Sequence, residues 1–187
     1  MSAGPVSDGP ATGAGDVATR AMPALRFGLA RPEDVAALTG LEQLEAILRG
    51  DLPAPPMAAT LSFWIESVGE GSVEFRGEPE AGFLNPMGTV HGGWAMTLLD
   101  SALGCAVHST LRPGETYASL GTEVKFLRPL LPSTGQIRCT GTIVSRGRRT
   151  ATAEGRLTDL AGRIYASGTT TCFIQAAEGR GTGTPPG

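Results

Sequence analysis

Lysine is almost missing from this chain. Lys125 is the only one in 187 residues, and every other basic residue is arginine. Imine chemistry on a lysine therefore rests on a single candidate. Histidine is nearly as scarce, with His91 and His108 alone. The three cysteines, Cys105, Cys139 and Cys172, form no CxxC pair and share no metal-ligand spacing. A His/Cys metal site is thus excluded, and no dense carboxylate cluster offers an oxygen-ligated one. No metal and no cofactor is expected. An odd number of scattered thiols in apolar surroundings points to reduced, buried cysteines and a cytoplasmic protein. The formal charge of −3 lacks the basic surplus of a nucleic-acid partner. No stretch of about 20 residues is uniformly apolar, so no membrane span is expected. The start, Met1–Asp16, has neither a basic nor an apolar region and does not read as a signal peptide.

What remains is 41% hydrophobic, enough for one packed domain at this length. Residues 1–23 and 176–187 are rich in Gly, Pro and Thr or Ala, and are expected to be disordered tails. Residues 24–54 read as a helical extension and linker. Pro32–Thr39 suits one helix, and Leu41, Leu44, Ile47 and Leu48 recur at helical spacing before Gly50. Asp51–Met57 carries three prolines and reads as a linker.

From Thr60 the period falls to two. Leu61, Phe63 and Ile65, then Val73 and Phe75, alternate with polar residues around a Gly69-Glu70-Gly71 turn. A long apolar stretch from His91 to about Thr110 is a helix. Strands follow at Thr116–Phe126, Gly135–Arg146, Thr150–Thr158 and Arg163–Gln175. One long helix with about six antiparallel strands implies an α+β fold, a sheet wrapped around a central helix. This domain spans 55–175.

Chemistry concentrates between Asn85 and Cys105. Asp100 is the only carboxylate from Met87 to Leu111. An acid in an apolar helix costs free energy unless paired or hydrogen-bonded. It can simply be a capped or solvent-facing residue. The His91-Gly92-Gly93 start of the same helix adds a second feature. A first turn without Cβ lets a ligand approach free N–H groups, which hold an oxyanion. The alternative is close helix–strand packing. Eight residues at ~1.5 Å rise separate Gly92 from Asp100 by about 12 Å, beyond general-base reach of roughly 3 Å or one water. If both act on one substrate, they come from different copies of the chain.

The run Asn85-Pro-x-Gly88-x-x-His91-Gly92-Gly93 with Leu99-Asp100, the run Glu123–Pro129 and the run Gly147–Leu157 resemble the hotdog-fold acyl-CoA thioesterases of the phenylacetate-pathway, PaaI-like type. The resemblance covers about residues 55–175. It implies dimers, often paired into tetramers, acting on acyl-CoA without a cofactor. It also implies roles. Gly92 offers its N–H to the thioester carbonyl. Asp100 activates water or attacks as nucleophile. Asn85 positions the thioester or water, His91 supports the loop, and Ser119 sits near the attacking water.

Further candidates are Trp94, Leu98 and Tyr117 for the acyl pocket, against an ordinary core role. Arg128, Arg146, Arg148 and Arg149 are candidates for coenzyme A phosphates, against a solvated hairpin turn. Thr97 and Ser101 are expected to bond back to helix carbonyls. The competing functions are a non-catalytic acyl-CoA-binding hotdog protein and a hotdog hydratase or dehydratase using His91 with Asp100.

Overall fold

A computed structural model of the chain describes residues 18–176. Three short helices come first: α1 (Pro32–Val35), α2 (Gly40–Arg49) and α3 (Pro56–Thr60). The hairpin β1 (Phe63–Gly69) and β2 (Ser72–Gly77) precedes the long helix α4 (Gly92–His108). Then come β3 (Thr116–Phe126), β4 (Ile137–Arg146), β5 (Thr150–Asp159) and β6 (Ile164–Gln175). All strand pairs are antiparallel, in the order β1-β2-β4-β5-β6-β3. β1 and β3 are therefore the two sheet edges, and the sheet curls around α4 as expected.

The inner face of α4 explains the arrangement. Leu98, Leu99, Ala102, Leu103, Ala106 and Val107 are fully buried against the sheet. What lets the helix come so close is a row of glycines. Gly141 on β4 pairs with Gly155 on β5, which pairs with Gly168 on β6. A Cβ on Gly141 would fall 2.2 Å from the Ala102 carbonyl oxygen. One on Gly155 would fall 3.1 Å from the Leu103 side chain. The row is a trough cut across three strands, and the middle of α4 lies in it.

The extension departs from the expectation of a plain linker. Pro56 and Met57 open α3, because a proline in the first helical turn needs no N–H partner. Ala54 is buried, and its backbone bonds to Arg26 and Gly28 across a parallel bridge from Phe27. α1 is shorter than Pro32–Thr39, because Thr39 takes extended geometry as the cap of α2. There it forms a reciprocal capping box with Glu42, and Gly50 closes the far end in the left-handed region. The regular alternation in β1 also fails. Phe63, Trp64 and Ile65 are all buried, since α2 and α3 pack on this end of the strand.

Residues 18–23 carry no helix or strand, as a tail would, yet Arg20 is held. Its backbone exchanges hydrogen bonds with the Gln136 side chain, and its guanidinium lies 2.8 Å from Glu66. The expected tails at 1–17 and 177–187 lie outside the described residues. Among the described residues no helix is long and apolar enough to cross a membrane.

Two consequences are measurable. Gly141→Ala is expected to cost about 1–3 kcal/mol through overpacking, lowering Tm by roughly 2–12 °C at this chain length. Gly82→Ala, whose Cβ meets nothing within 4 Å, should leave Tm in place; thermal unfolding of both variants checks this. Burial holds His108 below the ordinary imidazole range. The unfolded chain then takes up a proton before the native one, so stability is complete above about pH 6.5 and falls as pH drops below it. His108→Gln should flatten that decline in a Tm series from pH 7.5 to 5.

Candidate active site

The loop from Leu84 to His91 is pinned at both ends before α4 begins. Leu84 bridges Val90, His91 N–H donates to the Phe83 carbonyl, and Val90 N–H donates to the Leu130 carbonyl. Asn85 organises the interior of this loop. Its Oδ1 accepts from the N–H groups of Met87 and Thr89, at 2.9 and 3.2 Å, and its Nδ2 donates to Thr89 Oγ1 at 2.8 Å. Asn85 thus shapes the loop, and one Nδ2 proton is left over.

The first turn of α4 distributes its amides unequally. His91 is the N-cap, and its Nδ1 accepts from Gly93 N–H at 2.9 Å. That bond requires the tautomer with the proton on Nε2. Trp94 N–H donates to the His91 carbonyl. Gly92 N–H alone in this turn has no protein acceptor among the described residues. A helix start with one open donor and the positive end of the dipole is chemically able to hold a negative charge. The Phe126 ring lies over Gly92, so near that a Cβ would stand 3.0 Å from Cζ. Gly92, Asn85, Phe126 and Arg128 line one open cleft of about 350 Å³.

Asp100 lies two turns further along and is exposed. Its Oδ1 accepts from Thr122 Oγ1 at 2.8 Å. Thr122 in turn touches Thr170 Oγ1 at 3.2 Å, and Thr170 donates to the Gly121 carbonyl at 3.0 Å. Oδ2 of Asp100 accepts no protein hydrogen bond among the described residues. Asp100 is therefore a carboxylate with one oxygen fixed and one free.

Thr122 is the residue that sequence reasoning missed. Ser119 was the expected hydroxyl on this strand, but its Oγ leans on Cys172 Sγ at 3.8 Å. The cause is a bulge. Between Ser119 and Gly121 the register with β6 shifts by one residue at Leu120. Strict alternation would send Ser119 and Thr122 to opposite faces, and the extra residue resets the phase. Gly121 inside a strand was the available signal.

The remaining candidates divide by place. Trp94 is buried, stacks on Phe83, and donates its indole N–H to the Leu61 carbonyl at 2.9 Å. Leu98 is core. Tyr117 is half-buried beside Gly104 and His108 and lines an apolar cavity together with Asp100. Thr97 Oγ1 bonds back to the Gly93 carbonyl at 2.9 Å, as expected. Among the arginines, only Arg128 stands in the Gly92 cleft, with Nη1 on the Ile164 carbonyl. Arg146 is tied to Glu115 at 2.8 Å, and Arg149 lies over the Phe173 ring at 5.1 Å. Arg146 and Arg148 line a groove at the C-terminal end of α4 with Ser109 and Leu111. Along the 17 residues of α4 that end is about 25 Å from Gly92.

Cys105, one turn beyond Asp100, is held in the thiol form. Burial, reinforced by the Asp100 charge, pushes its thiol up to about 12. Among the described residues no cluster of three His, Cys, Asp or Glu side chains is placed to hold a metal.

Comparison with known proteins fits this geometry. The thioesterase superfamily matches residues 87–166. A phenylacetic acid degradation-related protein from Ralstonia eutropha shares 33% identity. The match covers 70% of this chain and 98% of that one, with a TM-score of 0.64. A mutant of the phenylacetic acid degradation protein PaaI from Thermus thermophilus shares 28%, covering 63% of this chain and 97% of that one, with a TM-score of 0.58. The PaaI protein of the E. coli phenylacetic acid degradation operon shares the fold at 20% identity, 76% and 97% coverage and a TM-score of 0.64. No curated protein matches the chain. With its helix-wrapping sheet and with nearly the whole Ralstonia protein matched, the chain belongs to the thioesterase superfamily as a PaaI-like hotdog thioesterase, a thioester hydrolase.

Proposed function

We propose that the chain hydrolyses aromatic or medium-chain acyl-CoA to the free acid and coenzyme A, as a cytoplasmic homodimer or a tetramer formed by two such dimers. The observation that carries the reading is the pair of unspent groups on α4, the Gly92 N–H and the Asp100 Oδ2. Being about 12 Å apart along one helix, they complete each other only when a second copy lies antiparallel, Gly92 of one facing Asp100 of the other. A two-fold interface of this kind gives two equivalent sites.

The surface supports such pairing. β3 is an edge strand of 11 residues, paired with β6 on one side and open on the other among the described residues, and long exposed edges invite pairing. Around it Leu120, Phe126, Leu127 and Met96 expose 42–67% of their surface. All three cysteines are free, as reducing conditions require.

The steps follow from the residues. Thr122 holds Oδ1, which orients the carboxylate. Oδ2 takes a proton from water as the water oxygen bonds to the thioester carbon, or itself bonds to that carbon. The carbonyl oxygen becomes an oxyanion held by the partner's Gly92 N–H, at the helix end where negative charge is favoured. The C–S bond then breaks. In the water route the proton on Asp100 passes to the leaving thiolate. In the direct route the collapse leaves a mixed anhydride on Asp100, which water then hydrolyses to the free acid and the Asp100 carboxylate, the released proton going to the thiolate. Arg128, beside Gly92, is the arginine placed for coenzyme A phosphate. His91 fixes the first turn through Gly93. A hydratase role for His91 would need its ring free to move a proton, whereas Nδ1 is committed to that bond.

Asp100→Asn is expected to lower kcat by about 10²–10⁴, the size of a general-base contribution, with the dimer intact by light scattering. Gly92→Pro removes the open N–H at a position where proline suits a helix, and it should also abolish turnover. Mixed dimers of these two inactive variants carry one intact site each. Random pairing should restore about a quarter of wild-type activity if the two groups act across a two-fold interface; no recovery on mixing rules that arrangement out. Thr122→Val loses a hydrogen bond to a charged group, about 1.5–3 kcal/mol, so kcat should fall at least tenfold. Ser119→Ala should fall less, and equal losses would return Ser119 to the site.

A further inference from the structure

We infer that the N-terminal extension forms the far wall of the acyl pocket and sets the size of acyl group that this chain accepts. The inference rests on the thioesterase reading above and adds the residues that determine specificity. An apolar cavity of about 250 Å³ has Asp100, Cys105 and Tyr117 on one side. The opposite side is made by Leu44 and Ile47 of α2 and Ala58 of α3, with Trp64 of β1 between. The carboxylate that acts on the thioester thus stands at the rim of a space lined mostly by apolar side chains, with Ser101, Cys105 and Tyr117 beside it. Such a space takes the hydrocarbon part of the substrate and leaves the thioester at the Asp100 end.

This space is not a loose fit between mobile parts. Gly40 sits so close to the end of α4 that a Cβ there would lie 1.7 Å from the His108 carbonyl oxygen, and its N–H bonds to the Leu111 carbonyl. The capping box and the Ala54 bridge fix α2 and the start of α3. Ordinary cores at native packing density hold few voids larger than a water. An apolar cavity of about 150 Å³ already admits benzene. The volume here fits a ring with a short chain or a medium alkyl chain. The superfamily match begins at residue 87, so Leu44, Ile47, Ala58 and Trp64 lie outside the segment common to the superfamily.

Two substitutions should move specificity in opposite directions. Ala58→Phe narrows the cavity and should lower the octanoyl-to-acetyl ratio of kcat/KM by roughly 10–100-fold, the scale on which apolar pockets discriminate. Ile47→Ala deepens it and should raise the dodecanoyl-to-octanoyl ratio. Released thiol over a series of acyl-CoA esters reads both, and ratios cancel any common loss of folded protein. A second measurement does not need turnover. 8-Bromooctanoate should quench tryptophan emission saturably, with the quenching lost in Trp64→Phe and weakened at least tenfold in Ala58→Phe. If the wild type cleaves thioesters but neither ratio moves beyond threefold, or if no saturable quenching occurs, the pocket assignment is overturned while hydrolysis stands. If quenching behaves as stated and no thioester is cleaved, the pocket stands and the hydrolase reading falls.

Discussion

The closeness of α4 to the sheet governs the rest of the molecule. Three glycines stand in register, Gly141, Gly155 and Gly168; the first lets the helix backbone at Ala102 and Leu103 approach a strand that any side chain would hold off, and the other two make room for the Leu103 side chain. Such contact costs conformational entropy, because glycine in a strand is free in the unfolded chain. It is offset by the burial of six helix side chains to zero exposure, each worth on the order of 1.5–3 kcal/mol when a large apolar group is fully buried. Ala102 and Ala106 contribute less. The functional consequence is rigidity. Asp100 and Gly92 ride on a helix that cannot slide or roll without lifting Ala102 out of its trough.

A second constraint acts at the start of the helix. Four N–H groups open every α-helix without internal partners. Here the cap residue satisfies two of them, through His91 Nδ1 and the His91 carbonyl. The Gly92 amide is left, beneath the Phe126 ring. That amide lines an open cleft beside a doubly pinned loop, where a donor can be reached from outside. The same economy holds at Asp100, where Thr122 engages one oxygen and leaves the other.

Much of this was legible in the residues. The length of the apolar stretch from His91 to about Thr110 marked α4, and the strand ends from Thr116 onward fell within two residues of the observed ones. Asp100 and Gly92 stood out because each broke a local rule, an acid among apolar residues and a glycine pair at a helix start. What was not legible depended on partners remote in sequence. Phe63, Trp64 and Ile65 are all buried because α2 and α3 cover them, which alternation within one strand does not reveal. Ser119 stood out as a candidate and Thr122 did not, because a single bulged residue at Leu120 resets the alternation and brings Thr122 to the same face as Ser119. Arg146 offered a charge in a turn, but Glu115 claims it.

The extension connects these points. A curled sheet with β1 and β3 as edges leaves the outer side of α4 bare on both flanks of Asp100. Near β3, Thr122 supplies a hydrogen-bond donor and the strand edge stays open for a second copy. Near β1, α2 and α3 close over the helix and leave a space lined mostly by apolar side chains. Asp100 therefore stands on a boundary between a polar flank and an apolar one. A thioester has the same division, a polar carbonyl and coenzyme A on one side and hydrocarbon on the other. On the proposed reading, burying the hydrocarbon at about 25 cal/mol per Å² would draw the substrate in from the apolar side and hold the reacting carbon where Oδ2 is free. Binding energy from the unreactive tail would in this way be converted into position at the carbonyl, the form in which it contributes to turnover as well as to affinity.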